Sequence, residues 1–473
     1  MSDDSLHYQT IETLAPRIQS GEVSPVALTA TLLDRIRALN PRLNAFRLIA
    51  EERALAAAQA AELQIKSGQY LGPLHGIPYV TKDLFDVAGL PTTAGSKTLE
   101  NNIASADSTV TRKLAQAGMI LLGKTNTVEF AFGSVGINHS HGTPHNPWQQ
   151  EPHTPGGSSS GSAVAVAAGL TPLGTGSDTA CSVRTPAALC GIVGLKTTVG
   201  RISRAGVFPL SETLDSIGPL TRSVYDAAVV CNVLQGPDEQ DPVTLQAVPV
   251  DPLGQLDAGV KNLRLAFAET AFFDDLDPEI EAAVRDSGKI FRELGAQLDS
   301  IDYPQAAQAL QIPLSLSMVE GAAFNRERLD QQLAQLDPIV GPRMLLGRDI
   351  PAPAYFAALR DVQQLRRSQM ATLRDVDALL VPSCMVPALP LAEVDKDFDN
   401  YMHYARVYMR NSLIGNLLNL CAVSVPCGFT RKGLPIGLMI YAKPFREDIA
   451  LRVAYAYEKA TAYTQQHPSL DWL

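Results

Sequence analysis

The sequence has neither an excess of basic residues nor a long apolar run. Across 473 residues, 39 Lys and Arg stand against 49 Asp and Glu, which gives a formal net charge of −10. Because nucleic acids and anionic membranes attract basic surfaces, this charge predicts neither of them as a partner. No apolar run approaches the roughly 20 residues that a membrane span needs. The acidic and polar residues 1–10 do not resemble a signal peptide.

Cysteine and histidine are also sparse, and neither forms a metal-binding pattern. The cysteines show no CxxC pair and no zinc spacing; they are Cys181, Cys190, Cys231, Cys384, Cys421 and Cys427. Four histidines share one Gly/Pro loop without a Cys or Glu at metal spacing, namely His139, His141, His145 and His153. We therefore expect reduced, buried thiols, histidines that bond to the backbone, no metal, and a cytoplasmic location.

The hydrophobic pattern predicts an α/β protein. Apolar runs at residues 77–82 and 119–122 are typical of buried strands, and residues 108–118 between them predict an amphipathic helix that ends at Gly118. The alanine-rich residues 43–67 predict another helix. Strand and helix patterns alternate through residue 195, which is typical of α/β sheets covered by helices.

The simplest plan is a single domain over residues 1–473. We expect a large mixed, mostly parallel sheet with helices on both faces. Residues 305–375 are mostly helical and interrupt the strand pattern, so we interpret them as a helical insertion.

Two short motif matches are rejected from their context. Residues 118–125 (GMILLGKT) fit the phosphate-loop pattern, but the four apolar residues between the glycines predict a strand instead of a loop. Residues 157–161 (GSSSG) fit the nucleophile elbow of α/β-hydrolases. The residues before them, QQEPHTP, do not predict the buried strand that the elbow requires.

Residues 155–198 are rich in glycine and serine and nearly free of charge. A flexible linker has such a composition, but a linker would not contain the apolar run at residues 163–170. We interpret the stretch as two tight turns that present hydroxyl and N–H groups, braced by a buried small-residue helix. Asp178 and Arg184 flank Ser182, where an ion pair and two independent loop charges fit equally well.

Lys82 ends an apolar strand and is the candidate base. A buried lysine loses its charge because desolvation penalises the ammonium, and a neutral lysine activates a serine hydroxyl. A salt-bridged or partly solvated lysine is the alternative. The residues alone do not pair Lys82 with any one serine.

Taken together, these motifs resemble the amidase signature family. The family pattern has a lysine in an HGIP-x₃-KD segment, then GGSS[GS]G, then GSDTGGSIR-x-P. Residues 75–83, 156–161 and 176–186 match these three motifs in that order. The resemblance places the signature core at about residues 70–240.

The resemblance implies a Ser–cisSer–Lys triad that works through an acyl-enzyme without metal or cofactor. By motif position, Ser182 is the nucleophile, Ser158 is the bridging serine after a cis peptide, and Lys82 is the base. The implied oxyanion hole consists of the backbone N–H groups of Thr179, Ala180, Cys181 and Ser182. The residues expected to support the triad are Asp178, Arg184 and Ser159. The implied substrate channel contains Phe132 and Gly133, and the expected contributions of the helical insertion are Met318, Phe324, Met344 and Leu345.

The chain departs from the family at Ala180 and Cys181, where the family has two glycines. Because alanine and cysteine disfavour positive φ, this turn must keep φ negative or absorb strain. We expect Cys181 to be structural and not a nucleophile.

The resemblance implies hydrolysis of a small-molecule amide, either small or aryl, with carbamate (urethane) or ester hydrolysis by the same site. An alternative is the A subunit of a tRNA-dependent amidotransferase, which releases ammonia from glutamine. That branch binds the substrate amine with an aspartate before its NLAG segment, and residues 410–422 here contain no acidic residue. A non-catalytic scaffold is the third hypothesis, and the intact triad argues against it. A homodimer is the expected assembly.

Overall fold

The computed structural model describes residues 6–312 and 314–473. Residues 1–5, which begin the segment expected not to be a signal peptide, lie outside the described residues. The strands are β1 (Phe46–Ile49), β2 (Pro78–Lys82), β3 (Ile120–Thr125), β4 (Leu173–Asp178), β5 (Val193–Lys196), β6 (Ser216–Thr221), β7 (Arg264–Ala268), β8 (Gln297–Ile301), β9 (Ala378–Pro382), β10 (Cys421–Phe429) and β11 (Pro435–Ala442). Within the described residues they form one 11-stranded sheet of order β1-β3-β2-β4-β6-β5-β10-β11-β9-β7-β8.

Helices surround this sheet. In chain order they are α1 (Ile11–Gln19), α2 (Pro25–Leu43), α3 (Glu51–Lys66), α4 (Thr109–Gln116), α5 (Ser160–Ala167), α6 (Arg184–Cys190), α7 (Val224–Leu234), α8 (Pro278–Glu293), α9 (Pro304–Gln311), α10 (Ser315–Phe324), α11 (Arg326–Gln331), α12 (Val340–Leu345), α13 (Ala352–Thr372), α14 (Leu391–Val394), α15 (Phe398–Leu417) and α16 (Glu447–Ala460). None of the helices in the described part of the chain is both long and apolar enough to span a bilayer.

The predicted mixed sheet is confirmed. Strand β2 runs parallel to β3 and β4, and β7 runs parallel to β8 and β9. The other six neighbouring pairs are antiparallel, so the parallel share is smaller than expected. The difference arises in part because β10 and β11 form a hairpin, and a short connection joins only antiparallel strands.

Strands at the centre of the sheet are buried on both faces. Every residue of β2, β3, β4 and β6 is buried, so helices must cover both sides of the sheet here. Helix α5 is buried along its whole length and packs against β2, β3 and β4. The predicted small-residue helix is therefore present as a core element.

Serine caps start several of the helices. The Ser24 hydroxyl accepts from the N–H of Ala27 at 3.1 Å, with Pro25 at the first helical position. Ser108 caps α4 and Ser223 caps α7 in the same way. The turn after α4 ends at Gly118, whose φ is +82°.

The expected helix over residues 43–67 is wrong in its first part. Asn44 adopts a left-handed conformation and ends α2, and the next residues extend as β1. Strand β1 pairs antiparallel with β3, and its Phe46 is buried. Tertiary pairing thus overrides the helical composition until α3 begins at Glu51.

Candidate active site

The ends of two neighbouring parallel strands place the predicted base. Strands β2 and β4 are adjacent and parallel, so Lys82 at the end of β2 and Ser177, the last residue but one of β4, meet at one edge of the sheet. The Lys82 ammonium nitrogen Nζ lies 2.8 Å from the Ser158 hydroxyl and 2.9 Å from the Ser177 hydroxyl. Sequence reasoning overlooked Ser177, although it stands inside the GSD segment of the third family motif.

Lys82 is fully buried, and its environment changes its charge. Burial lowers its pKa from 10.5 to about 7, while the nearby carboxylates of Asp215 and Asp178 oppose this change. Near pH 7 a large share of the molecules therefore carries a neutral amine at this position. A neutral amine beside a hydroxyl is the arrangement that general-base chemistry requires.

Ser158 stands in the first Gly/Ser turn, immediately before α5. The Gly157–Ser158 peptide is cis, as the resemblance implies. The Ser158 carbonyl accepts hydrogen bonds from the Thr127 hydroxyl at 2.8 Å and from the Val128 N–H at 3.3 Å. These bonds fix the backbone on one side of the serine while its hydroxyl contacts Lys82.

Ser182 stands in the second turn, between β4 and α6. Its carbonyl accepts from the N–H of Ser159 at 3.2 Å, which joins the two serine-bearing turns directly. The Ser159 hydroxyl in turn reaches the Ser177 carbonyl at 3.4 Å. The structure thus brings Lys82, Ser158 and Ser182 into one cluster, with Ser159 as the backbone link between the turns.

Asp178 and Arg184 form an ion pair that is fully buried. Arg184 donates to both carboxylate oxygens of Asp178, at 2.9 Å and 3.0 Å. Burial alone would raise the pKa of Asp178, but the charge and hydrogen bonds of Arg184 overcome it and hold this pKa at about 2. Of the two equal interpretations of these charges, the ion pair is the one present.

The same guanidinium reaches the C-terminal part of the chain. Arg184 donates to the Tyr441 hydroxyl at 2.8 Å, to the Ser412 carbonyl at 2.9 Å and to the Asn416 side-chain oxygen. We call Arg184 with these partners and Asp178 the Arg184 clamp. It fixes the start of α6, and therefore the turn that carries Ser182, against α15 and β11.

The turn of the predicted oxyanion hole tolerates the two non-glycine residues. Ala180 and Cys181 are not among the described residues with positive φ, so the turn avoids the left-handed region. Burial raises the pKa of the Cys181 thiol to about 12, which keeps the thiol protonated. The Thr179 hydroxyl donates to Asp215 at 2.5 Å and orients the first residue of this turn.

Ser182 opens into a cleft of about 670 Å³, which we call the Ser182 cleft. Residues 179–182 form one side of it, together with Phe132 and Gly133 as the resemblance implies. The walls are mostly apolar and also include Leu210, Leu314, Met318, Leu346, Met402 and Met409. The helical insertion contributes to the cleft as expected, but not with every residue named for it.

Of the four insertion residues expected there, only Met318 lines the cleft. Phe324 is 41% exposed and lies in a separate surface depression. Met344 is buried against Gly321, and Leu345 lies outside the lining. The reason is the direction in which successive helical residues point. Arg343 and Leu346 face the cleft, whereas Met344 and Leu345 between them, at the end of α12, point elsewhere.

Arg343 is a lining residue that the sequence did not reveal. It is 8% exposed, donates to the Phe132 carbonyl at 3.2 Å and stacks 4.7 Å from the centre of the Phe132 ring. No Asp or Glu belongs to the described lining, so Arg343 is its one charged side chain. The cleft is therefore apolar with a single positive group.

The rejected motifs behave as their context predicts. Residues 120–125 form β3, and Lys124 pairs with the buried Asp83 at 2.6 Å instead of facing a phosphate. Residues 126–156, all of which the structure describes, contain no strand ahead of Gly157. In the histidine loop, His145 and His153 bond to backbone carbonyls as expected. For His139 the expectation is wrong, because its ring bonds to the carboxylates of Asp337 at 2.9 Å and Asp395 at 3.0 Å.

Comparison with known proteins covers nearly the whole chain. The sequence profile of the amidase family matches residues 27–451. The A subunit of the glutamyl-tRNA(Gln) amidotransferase from Myxococcus xanthus is 38% identical over an alignment of 478 positions, which covers 95% of this chain and 96% of the relative.

Two solved structures show the same fold. The peptide amidase from Stenotrophomonas maltophilia is 31% identical with a TM-score of 0.86, over 98% of this chain and 99% of the amidase. A chain from the vestigial complex that relates to the origin of an s-triazine catabolic enzyme is 30% identical with a TM-score of 0.89, over 95% and 98%. Together with the motifs, these matches show that the chain belongs to the amidase family and is an amidase-signature hydrolase of carbon–nitrogen bonds in amides.

Proposed function

We propose that this chain hydrolyses a small-molecule amide with an apolar acyl group, with Ser182 as nucleophile, Ser158 as proton relay and Lys82 as base. One observation carries the proposal: a buried lysine bonds to Ser158 beside an apolar cleft that Ser182 lines. Carbamates and esters with the same acyl group fit the same chemistry, because only the leaving group differs.

The reaction follows from this arrangement. Neutral Lys82 accepts the proton of Ser158 while Ser158 accepts the proton of Ser182. The Ser182 oxygen bonds to the carbonyl carbon, and the N–H groups of residues 179–182 stabilise the oxyanion. The C–N bond then breaks, and the relay returns the proton to the leaving nitrogen.

Water completes the turnover. It adds to the acyl-enzyme and gives a proton to the Ser158–Lys82 relay. The ester bond to Ser182 breaks, and Ser182 regains its proton. The sum of both halves converts one amide and one water into one acid and one amine.

The charges of the Ser182 cleft favour some substrates over others. Arg343 suits one strong hydrogen-bond acceptor at the end of an otherwise apolar acyl group. No carboxylate lies in the described lining to pair with an ammonium, and the lining residues Met402 and Met409 are apolar. A free amino acid amide such as glutamine would therefore leave its ammonium group buried without a partner.

A second candidate is the A subunit of a glutamyl-tRNA(Gln) amidotransferase. The names of the relatives favour it, since the protein from Myxococcus xanthus is 38% identical over almost the whole chain. In this case the chain would release ammonia from glutamine and would act beside partner subunits. An assembly with other subunits would then replace the homodimer, which stays a prediction.

A substrate panel separates the two candidates. Purified protein is assayed with primary amides, anilides, carbamates and esters of apolar acids, and with glutamine, and Ser182→Ala is the matched control. We expect turnover of the apolar substrates that Ser182→Ala abolishes. Ammonia release from glutamine alone would overturn the first proposal in favour of the second. No fluorophosphonate labelling of Ser182 would contradict both.

A further inference from the structure

Lys82 has a second hydrogen-bond partner that the proposed mechanism does not use. The Ser177 hydroxyl lies 2.9 Å from Nζ of Lys82. Ser158, the other partner, connects Lys82 to the proposed nucleophile, whereas Ser177 does not. Ser177 does not line the Ser182 cleft. It lines a separate cleft of about 620 Å³, which we call the Ser177 cleft.

One short segment separates the two clefts. Along residues 177–182 the chain begins at the Ser177 cleft and ends at the Ser182 cleft. A second partition is formed by residues 209–211, because Leu210 lines the Ser182 cleft whereas its neighbours line the Ser177 cleft. Asp215 fixes both partitions: it accepts from the N–H groups of Leu210 and Ser211 at 2.9 Å and from Thr179.

The charged side chains that line the Ser177 cleft already have partners within the protein. Arg204 forms ion pairs with Asp241 at 3.0 Å and with the exposed Glu212 at 3.1 Å. Its remaining donors reach the Glu212 carbonyl and Asp241. Asp215, the remaining carboxylate of the described lining, is held by Thr179 and by the N–H groups of Leu210 and Ser211. Because each of these charged groups already has partners, the cleft suits small neutral molecules such as water.

We propose that the Ser177 cleft admits water and small amines to Lys82, so that the base exchanges protons with solvent while an acyl group fills the Ser182 cleft. In this exchange the Lys82 ammonium gives a proton to the Ser177 oxygen as Ser177 gives its own proton to a water in the cleft. The products are a neutral Lys82, an unchanged Ser177 and a hydronium ion. The inference rests on the proposed function, because it takes Lys82 as the base.

The route has a clear purpose in the catalytic cycle. Lys82 is fully buried, and neither it nor Ser158 lines the described Ser182 cleft. When the acyl group of an unreacted substrate occupies that cleft, a Lys82 that is already protonated finds no proton acceptor in that direction, because Ser158 and Ser182 still hold their own protons. The Ser177 hydroxyl offers the second direction, and a hydrogen-bonded chain from cleft water to Ser158 results.

Chemical rescue tests the route. Lys82→Ala removes the base and should lose turnover, and methylamine at saturating substrate should restore release of the leaving amine by about a hundredfold. Adding Ala205→Trp, which fills the Ser177 cleft, should abolish this rescue, whereas Lys82→Ala with Ala205→Ser should keep it. Val207→Phe in the Lys82→Ala background is a second plug with the same expected result.

The outcomes separate a failure of the Ser177 route from a failure of the proposed function. Equal rescue with the plugs and with Ala205→Ser, or no rescue in Lys82→Ala, would overturn the Ser177 route. Full turnover of Lys82→Ala without any amine would instead refute Lys82 as the base, which is a failure of the proposed function. Fluorophosphonate labelling of Ser182 in Ala205→Trp with Lys82 intact shows that the plugged protein is folded.

Discussion

The pH dependence of amide hydrolysis should report the protonation state of Lys82. Its pKa of about 7, against 10.5 for a solvated lysine, corresponds to about 5 kcal/mol that disfavours the ammonium. For a base of this pKa, the neutral fraction rises from roughly one tenth at pH 6 to roughly nine tenths at pH 8. We therefore expect kcat/KM to rise about tenfold over this interval.

The acid limb of this profile is the range in which kcat/KM rises with pH as Lys82 loses its proton. Asp215→Asn should move this limb to lower pH. Asp215 is the charge that opposes the effect of burial most strongly, so its removal should lower the pKa of Lys82 further. Asparagine retains the local contacts when its oxygen faces the N–H groups of Leu210 and Ser211 and its amide faces the Thr179 hydroxyl. For each pH unit by which the limb moves, kcat/KM at a given pH on that limb becomes tenfold higher. This factor corresponds to about 1.4 kcal/mol of free energy.

The control is Glu212→Gln, which removes a charge from the same segment. The Glu212 side chain is 73% exposed, so its charge is screened by water and the limb should stay in place. The measurement is kcat/KM for one anilide from pH 5.5 to 9 with all three proteins. A profile without an acid limb, or a limb that Asp215→Asn moves to higher pH, would refute a desolvated lysine as the base.

Three further outcomes concern single side chains. Cys181→Ala should keep full turnover and Ser182→Ala should have none; the reverse would make the thiol the nucleophile. Arg184→Leu leaves a buried carboxylate unpaired, so the free energy of unfolding in urea should fall by about 3–5 kcal/mol, and a fall below about 1 kcal/mol would contradict the clamp. Hydrogen bonding to Asp337 raises the pKa of His139 to about 9, so its stabilisation is complete below the unfolded value of 6.5 and is lost as the pH rises through 9. His139→Gln should therefore lower Tm at pH 6 and leave it unchanged at pH 10.

Local signals in the sequence predict much of the fold. Ser24 and Pro25 mark the start of α2, and Ser223 marks the start of α7, because capping depends on nearby residues only. The buried strand at residues 120–125 follows from its apolar run. The sequence does not predict β1, because that strand exists only through its pairing with β3.

For the candidate site, too, the sequence predicts some residues and not others. Lys82, Ser158 and Ser182 are predictable because three ordered motifs carry them. Arg343 and Met409 are not predictable, since they reach the Ser182 cleft from α12 and α15, more than 150 residues after Ser182 in the chain. Packing between distant elements decides which face of each helix meets the cleft, and no local pattern contains that information.

The Arg184 clamp also sets the time at which the site becomes complete during synthesis. The proposed triad leaves the ribosome before residue 200 and consists of Lys82, Ser158 and Ser182. The Arg184 clamp forms completely only after Asn416 and Tyr441 have also been synthesised. Until then, the buried charge of Arg184 has only part of its hydrogen bonds. A nascent chain therefore carries Ser182, the proposed nucleophile, without the support that fixes its turn, and that support is complete only when the last tenth of the chain is translated.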